Sequence, residues 1–114
     1  MAIFKWLNDY DKLINSYTIH DLRESGEMHY MNIEVHLRDS SQLFIKEFQE
    51  PGRRKYAFHW QTSSGAIIMR WDNAPHFPKL PNFPHHKHLS DQSVEDGYDI
   101  PLEDILKYIA DRIY

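Results

Sequence analysis

The chain has 114 residues, a formal net charge of −4 and 41% hydrophobic residues, which is typical of one folded domain rather than a disordered chain. It contains no cysteine, so disulfides, thiolate zinc sites and cysteine nucleophiles are excluded. The negative net charge excludes a global positive field that would attract nucleic acid. Because no apolar run approaches the roughly 20 residues of a membrane span and the N-terminus lacks a signal-peptide pattern, we expect a cytoplasmic protein with a single domain over residues 1–114.

The first two thirds of the chain predict an antiparallel meander. Residues 4–14, FKWLNDYDKLI, fit either a helix or a first strand. In residues 28–38, Ile33 and Val35 share one face, and Asn32 and Glu34 share the other, which is the period of a half-buried strand. Turn-forming residues such as SGE, EPGR and SSG separate the predicted strands. These strands cover residues 15–24, 28–38, 42–49, 55–62 and 66–72.

The C-terminal residues predict a helix. In IPLEDILKYIADRIY, Leu102, Ile105, Leu106 and Ile109 recur at helical spacing, and Pro101 lies near the first turn. The apolar stripe should cover one face of the sheet. The predicted fold class is therefore α+β, an antiparallel meander of about five strands with a C-terminal amphipathic helix packed on one face.

Residues 75–88, PHFPKLPNFPHHKH, hold four of the six prolines and four of the eight histidines. Proline recurs at every third position, which is the period of polyproline II, and the residue before each proline disfavours a helix. In that conformation one edge is apolar and should dock on the sheet, and another is polar and should face outward. The apolar edge comprises Phe77, Leu80 and Phe83, and the polar edge comprises His76, Lys79, Asn82 and His85.

Three interpretations of this segment remain open. It is a rigid loop with exposed histidines, or a metal site in which His85 and His88 converge within a helical turn, or a catalytic centre. The metal interpretation lacks a carboxylate within the cluster and any familiar zinc spacing. We therefore expect neither a metal ion nor another cofactor.

The catalytic interpretation uses His59 and Arg70, which flank the SSG turn and should face each other on the polar side of a hairpin. Two imidazoles and a cation can cleave RNA without metal, since one ring accepts the 2′-hydroxyl proton and another protonates the leaving oxygen. The predicted catalytic residues are His59, Arg70, His85, His86 and His88. The predicted substrate-binding residues are Lys87, Lys79, His76, Asp72 and Asn73. We expect these side chains on the polar edge, where alanine should not disturb the fold.

Other roles are open for four residues of this region. Asp72 either hydrogen-bonds the following backbone and ends the strand, as Asn73 also could, or orients a histidine. Trp60 and Trp71 are expected in the core or against a partner, although single-stranded RNA would also use such rings for stacking.

Residues 54–90 resemble the TumE family, the toxins of bacterial and archaeal TumE–TumA toxin–antitoxin pairs. The motifs that carry the resemblance are YAFHWQ, RWDNAPH at 70–76 and FPHHKH at 83–88. The resemblance implies a small α+β toxin whose antitoxin resembles a helix-turn-helix regulator, and RNA cleavage is the activity proposed for the family. One departure is Phe77, where a second histidine would be expected, so position 77 should not carry essential chemistry.

Three functions are consistent with the sequence. The first is a metal-independent endoribonuclease toxin that acts on RNA and binds a cognate antitoxin. The second is a non-enzymatic toxin or interaction module that inhibits by binding a partner, and the third is a metal-dependent hydrolase that uses the HHKH cluster. The sequence leaves the cellular target open, and it does not decide between a monomer and a homodimer.

Overall fold

The structure is a computed structural model that describes residues 3–114. It is an α+β fold in which all seven strands form one antiparallel sheet in sequence order, so the expected class is confirmed, but the expected number of about five strands is too low. The helices are α1 (Ile3–Asp9) and α2 (Leu102–Ile113). The strands are β1 (Ile14–Ser25), β2 (Met28–Leu37), β3 (Gln42–Glu50), β4 (Arg53–Gln61), β5 (Ile67–Asp72), β6 (His86–Leu89) and β7 (Val94–Asp96).

The first five strands follow the predicted hairpins, and the two unpredicted strands are β6 and β7. Residues 3–9 form a helix, which answers the question left open for the N-terminus. Pro51 and Gly52 form the two-residue connection between β3 and β4, and Gly52 adopts a φ of 74°, a left-handed conformation that glycine reaches without steric cost. Neither helix in the described part of the chain is long and apolar enough to cross a membrane.

One side of the sheet, here called the core face, carries the apolar members of the alternating strands. Ile33 of β2 and Phe58 of β4 have no exposed surface. Residues of α2, including Ile105 with no exposed surface, belong to the same buried cluster. The ring of Tyr108 meets Trp71 edge-on, with 5.4 Å between the ring centroids. The opposite side of the sheet, called the polar face, carries the remaining side chains of the same strands.

The proline-rich residues 73–85 form a series of turns rather than polyproline II. The amide of Leu80 donates to the carbonyl of Phe77 at 3.2 Å, and the amide of Phe83 donates to that of Leu80 at 3.1 Å, whereas polyproline II has no internal hydrogen bonds. Phe77 packs on the sheet against His86, with 4.8 Å between the ring centroids. Phe83, by contrast, is 42% exposed. The expectation of a regular apolar edge is therefore wrong for Phe83.

Candidate active site

The register of three strands aligns the candidate side chains in two rows on the polar face. In the first row, His59 of β4 pairs with Arg70 of β5, and Arg70 pairs with His88 of β6. In the second row, Asp72 of β5 pairs with His86 of β6. Directly opposed residues of antiparallel strands share a face, so these five side chains form one cluster, called the polar cluster below. The predicted pairing of His59 with Arg70 is confirmed.

Arg70 lies at the centre of the polar cluster. Its Nε donates to Oδ2 of Asp72 at 3.0 Å, and its Nη1 lies 3.5 Å from Nδ1 of His59. A guanidinium only donates, so Nδ1 of His59 holds a lone pair. The Arg70 side chain is 39% exposed, which leaves part of its fork of N–H groups free for an anion.

Both half-buried histidines of the first row have lowered pKa values. Burial is the main cause for His59, and the positive charge of Arg70 lowers the pKa further. Burial also lowers the pKa of His88, although the carboxylate of Asp72 opposes that shift. A histidine with a pKa below its usual value of about 6.5 is mostly neutral at pH 7. His59 is therefore ready to accept a proton.

Asp72 has both of the roles that the sequence left open. Its Oδ1 accepts a hydrogen bond from the amide of Ala74 at 3.0 Å, which ends the strand. The same oxygen lies 2.9 Å from Nε2 of His86, and its Oδ2 lies 3.3 Å from Nε2 of His88. Asp72 is 5% exposed, so these contacts are protected from water.

His86 is the most deeply buried of the predicted site residues, at 2% exposure, and the expectation that it lies on an exposed polar edge is wrong. The segment 73–85 covers it through the ring of Phe77. On its other side, Nδ1 of His86 lies 2.9 Å from the carbonyl oxygen of Pro84. Residues 86–89 form a strand, so His86 and His88 share a face because they are two positions apart.

The structure does not bring His85 and Lys87 into the polar cluster. Nδ1 of His85 lies 3.0 Å from the hydroxyl of Tyr56, and the two rings are stacked. Lys87 pairs in register with Trp71 on the core face, and its Nζ lies 3.6 Å from a carboxylate oxygen of Glu95.

Of the other predicted substrate-binding residues, Asp72 belongs to the polar cluster and the remaining three lie outside it. His76 and Lys79 are exposed on the turns of segment 73–85. The side chain of Asn73 bonds to the main chain of β4: its Nδ2 donates to the carbonyl of Arg54 at 2.7 Å, and its Oδ1 accepts from the amide of Tyr56 at 3.0 Å. Asn73 therefore bridges the ends of two strands rather than bonding to the backbone that follows it.

The residues predicted from the sequence did not include several aromatic and basic side chains on the polar face. Phe44 of β3 pairs in register with His59, and the two ring centroids are 6.3 Å apart. Phe48 lies two positions from Lys46 on the same face. The guanidinium carbon of Arg53 lies over the Phe48 ring, 5.5 Å from the ring centroid. The alternation in QLFIKEFQE was a usable signal, since it places both phenylalanines opposite the buried Leu43 and Ile45 and therefore on the polar face.

A cavity of about 480 Å³ lies away from the polar cluster. Its lining includes Trp6, Arg54 and Asp99. The guanidinium of Arg54 donates to Glu47, to Asp99 and to the carbonyl of Ile100. These bonds occupy the guanidinium of Arg54, so it is not free to bind an anion in the cavity. We therefore place the candidate active site at the polar cluster.

The polar cluster contains the metal-ligand candidates of the described residues. Ligand atoms of Asp72, His86 and His88 all lie within 4.8 Å of one another. The metal grouping expected from the sequence, His85 with His88, is not formed, because residues 86–89 are extended. The cluster thus combines a carboxylate, three imidazoles and a guanidinium, which are the groups needed for proton transfer and for binding an anion.

No curated protein and no solved structure matches the chain. The family model described as Toxin TumE matches residues 3–113. This match extends beyond the residues 54–90 that carried the resemblance, and it covers the hairpins of β1 to β3 and the helix α2 as well as the polar cluster. The chain belongs to the Toxin TumE family.

Proposed function

We propose that this toxin cleaves RNA at the polar cluster by a metal-independent reaction. The observation that carries the proposal is the row His59, Arg70, His88 across three adjacent strands. Neighbouring strands are about 4.8 Å apart, so one imidazole lies on each side of the guanidinium. This arrangement suits a phosphate bound by Arg70 with a base on one side and an acid on the other.

The proposed reaction is a transesterification within the RNA. When Arg70 turns from Nδ1 of His59 to the bound phosphate, Nδ1 accepts the proton of a 2′-hydroxyl, and the 2′-oxygen attacks the adjacent phosphorus. The bond from phosphorus to the 5′-oxygen breaks, and His88 donates a proton to that oxygen in the fraction of molecules whose His88 ring is protonated, a form that the carboxylate of Asp72 favours. The products are a 2′,3′-cyclic phosphate and a free 5′-hydroxyl, and Arg70 stabilises the charge on the phosphate oxygens during the exchange.

The aromatic side chains of the polar face support RNA as the substrate. Phe44 is the register partner of His59, and a base stacked on its ring would place the adjoining 2′-hydroxyl near the imidazole. Lys46 and Lys55 alternate with Phe44 and Phe48 on this face, which gives the polar face local cations despite the net charge of −4. Backbone phosphates would be held by such side chains.

Membership of the toxin family implies a cognate antitoxin. We propose that this antitoxin resembles a helix-turn-helix regulator and that the pair acts in the cytoplasm. Neutralisation then requires the antitoxin to cover the polar cluster, or to hold the toxin in a form that cannot bind RNA.

Alanine variants of the first row test the proposed reaction. His59→Ala and His88→Ala should each slow cleavage by about 10² to 10⁴-fold, the usual contribution of a general acid or base, and Arg70→Ala should weaken RNA binding and slow cleavage. His20→Ala, at an exposed histidine of β1, is the matched control and should behave as wild type. Circular dichroism checks folding, gel analysis measures cleavage, and growth after induction measures toxicity.

Two results separate enzymatic from non-enzymatic toxicity. An RNA with a single 2′-deoxy residue at the cleaved position should resist the wild-type protein, because the nucleophile is missing. If all three variants fold and still cleave like wild type, the assignment of the site is wrong. If the wild type arrests growth but leaves RNA intact in vitro and in cells, while the variants are harmless, then the polar cluster is a binding surface rather than a catalytic one.

A further inference from the structure

We infer that Asp72, His86 and His88 form a binding site for a divalent transition-metal ion such as Zn²⁺. A metal ion at this site differs from the sequence-based expectation of a metal-free site, and the proposed reaction does not require it. Two imidazoles and a carboxylate are a donor set that Zn²⁺ and related ions prefer. The three residues come from two neighbouring strands, β5 and β6, that are paired in register.

The distances between the ligand atoms agree with this set surrounding one ion. Nε2 of His86 lies 3.0 Å from Nε2 of His88 and 2.9 Å from Oδ1 of Asp72. Nε2 of His88 lies 3.3 Å from Oδ2 of Asp72. With metal–ligand bonds of about 2.1 Å, neighbouring ligand atoms lie about 3.0 Å apart at a right angle and about 3.4 Å apart at the tetrahedral angle.

The tautomer of His86 provides an independent argument. The carbonyl oxygen of Pro84, 2.9 Å from Nδ1, can only accept a hydrogen bond, so Nδ1 carries a proton. In the neutral ring the lone pair is on Nε2 and points towards the carboxylate of Asp72. Two lone pairs at 2.9 Å repel each other unless a proton or a metal ion lies between them. A metal ion satisfies both groups, and a ligating histidine that donates its other N–H to a backbone carbonyl is the usual arrangement.

The surroundings hold the three ligands in place. Phe77 packs its ring against both imidazoles, with centroid distances of 4.8 Å to His86 and 5.9 Å to His88. Nε of Arg70 donates to Oδ2 of Asp72, which orients the carboxylate. The side chains of Asp72 and His86 are 7% and 1% exposed, whereas that of His88 is 26% exposed. The ion would therefore be enclosed on the protein side and reachable by water beside His88.

A bound ion would also affect the proposed reaction, and this consequence rests on the proposed function. The ion occupies Nε2 of His88, so the same ring cannot act as the general acid. Cleavage by the metal-free protein should therefore fall as the site fills. An increase in cleavage would show that the reaction is metal-dependent instead, and it would leave the binding site itself in place.

Metal binding can be measured without RNA, so the metal-site proposal and the RNA-cleavage proposal are tested independently of each other. Untagged, chelator-stripped wild-type protein is titrated with ZnCl₂ by calorimetry, and its melting temperature is recorded with and without the ion. Co²⁺ is used as a second probe, because its visible absorption reports nitrogen and oxygen coordination. We expect one ion per chain, a higher melting temperature and a Co²⁺ spectrum of low coordination number.

Three variants decide whether the polar cluster is the site. His88→Ala removes the most exposed ligand and should lower the affinity at least about tenfold, the smallest effect that loss of even an outer partner usually has, and abolish the rise in melting temperature. Asp72→Asn keeps the acceptor for the amide of Ala74 and should weaken binding similarly. His20→Ala, next to Glu34 at 3.4 Å on the surface, should bind one ion like wild type. The inference is wrong if the wild type binds no ion, or if both ligand variants bind as tightly as it does.

Discussion

At the scale of single residues, Asp72 links the fold to the chemistry. Its two oxygens contact the amide of Ala74, the guanidinium of Arg70 and the imidazoles of His86 and His88. A carboxylate that is 5% exposed needs such partners, because a buried charge without them is costly. The same contacts fix the position of Arg70 beside His59, so the geometry of the proposed base depends on a residue that does not touch it.

The first prediction concerns the pKa of His59. Burial and Arg70 both lower it from its usual value of 6.5, so NMR titration of the ring should give a midpoint below that value. Arg70→Gln removes the positive charge and should therefore raise the midpoint. The midpoint should still stay below 6.5, because burial is the larger cause and remains. Lys55→Gln removes a cation from a more distant position of the same strand and serves as the control.

The sign of the pH dependence follows from this shift. A histidine whose pKa is lowered on folding binds its proton more readily in the unfolded chain, so its contribution to stability is present above pH 6.5 and is lost as the pH falls through the lowered pKa. For the proposed base, activity should likewise persist to a pH below 6.5 before it declines. An upward shift of the His59 midpoint in the wild type would contradict the site geometry, and an unchanged midpoint in Arg70→Gln would show that the charge of Arg70 does not contribute.

The sequence predicted one half of the polar cluster because that half depends on a short turn. His59 and Arg70 flank SSG, and the register of a short hairpin follows from turn length and alternation. The other half depends on how β6 returns to β5 after residues 73–85. Neither the proline period nor the histidine spacing fixes that register, so the partnership of Asp72 with His86 and His88 could not be predicted.

At the scale of elements, predicted strands such as β2 carry an apolar alternation in their own sequences, and the unpredicted strands do not. In β2, four apolar residues alternate with polar ones over residues 31–37, and the structure buries Ile33, Val35 and Leu37. In β6 and β7, which have four and three residues, HKHL and VED carry no apolar alternation. The pairing of β6 with β5, and of β7 with β6, supplies the order that their own sequences lack. Trp60 and Trp71 are buried in the core, which agrees with their expected place.

The second prediction concerns Asn73, whose amide group connects β5 to β4. Asn73→Ala removes the hydrogen bonds to the carbonyl of Arg54 and the amide of Tyr56, and each polar group left unsatisfied costs about 1–3 kcal/mol where it is buried. Because both hydrogen bonds are only partly buried, we expect their loss together to lower the free energy of unfolding by about 1–3 kcal/mol, measured by urea denaturation.

Two comparisons control for this prediction. Asn73→Asp keeps the acceptor for the amide of Tyr56 but loses the donor to Arg54, so its stability should lie between those of the wild type and the alanine variant. Asn32→Ala changes the same residue type on the polar face of β2 and should cost less. If Asn73→Ala and Asn32→Ala unfold at the same urea concentration, the side chain of Asn73 does not hold the strands together.

At the scale of the whole molecule, the two faces of one sheet have different roles. The core face buries the apolar side chains of β2 to β5 together with those of α2. The polar face presents the polar cluster next to Phe44, and it continues through Lys46 and Phe48 to Lys55. An open sheet face with rings between cations is suited to a single strand of nucleic acid, whose unpaired bases can stack, rather than to a duplex.

The last prediction separates stacking from charge on the polar face. Binding is measured with a single-stranded RNA whose 2′-hydroxyls are replaced by hydrogen, so that no cleavage occurs, over a series of salt concentrations. Phe44→Leu should weaken binding by about 1–3 kcal/mol, the usual contribution of one stacked base, with an unchanged salt dependence. Lys46→Gln should leave a stacking contribution intact and reduce the slope of log affinity against log salt by about 0.7, since one phosphate contact is lost.

The control for that experiment is Tyr17→Leu. Tyr17 is an aromatic residue with 45% exposure, and it pairs in register with Val35, so it lies on the side of the sheet away from the polar cluster. Its replacement should change neither the affinity nor the slope. Equal losses for Tyr17→Leu and Phe44→Leu would place the RNA elsewhere. Because the proposed base His59 lies beside Phe44, such a result would also separate RNA binding from the residues proposed to cleave it.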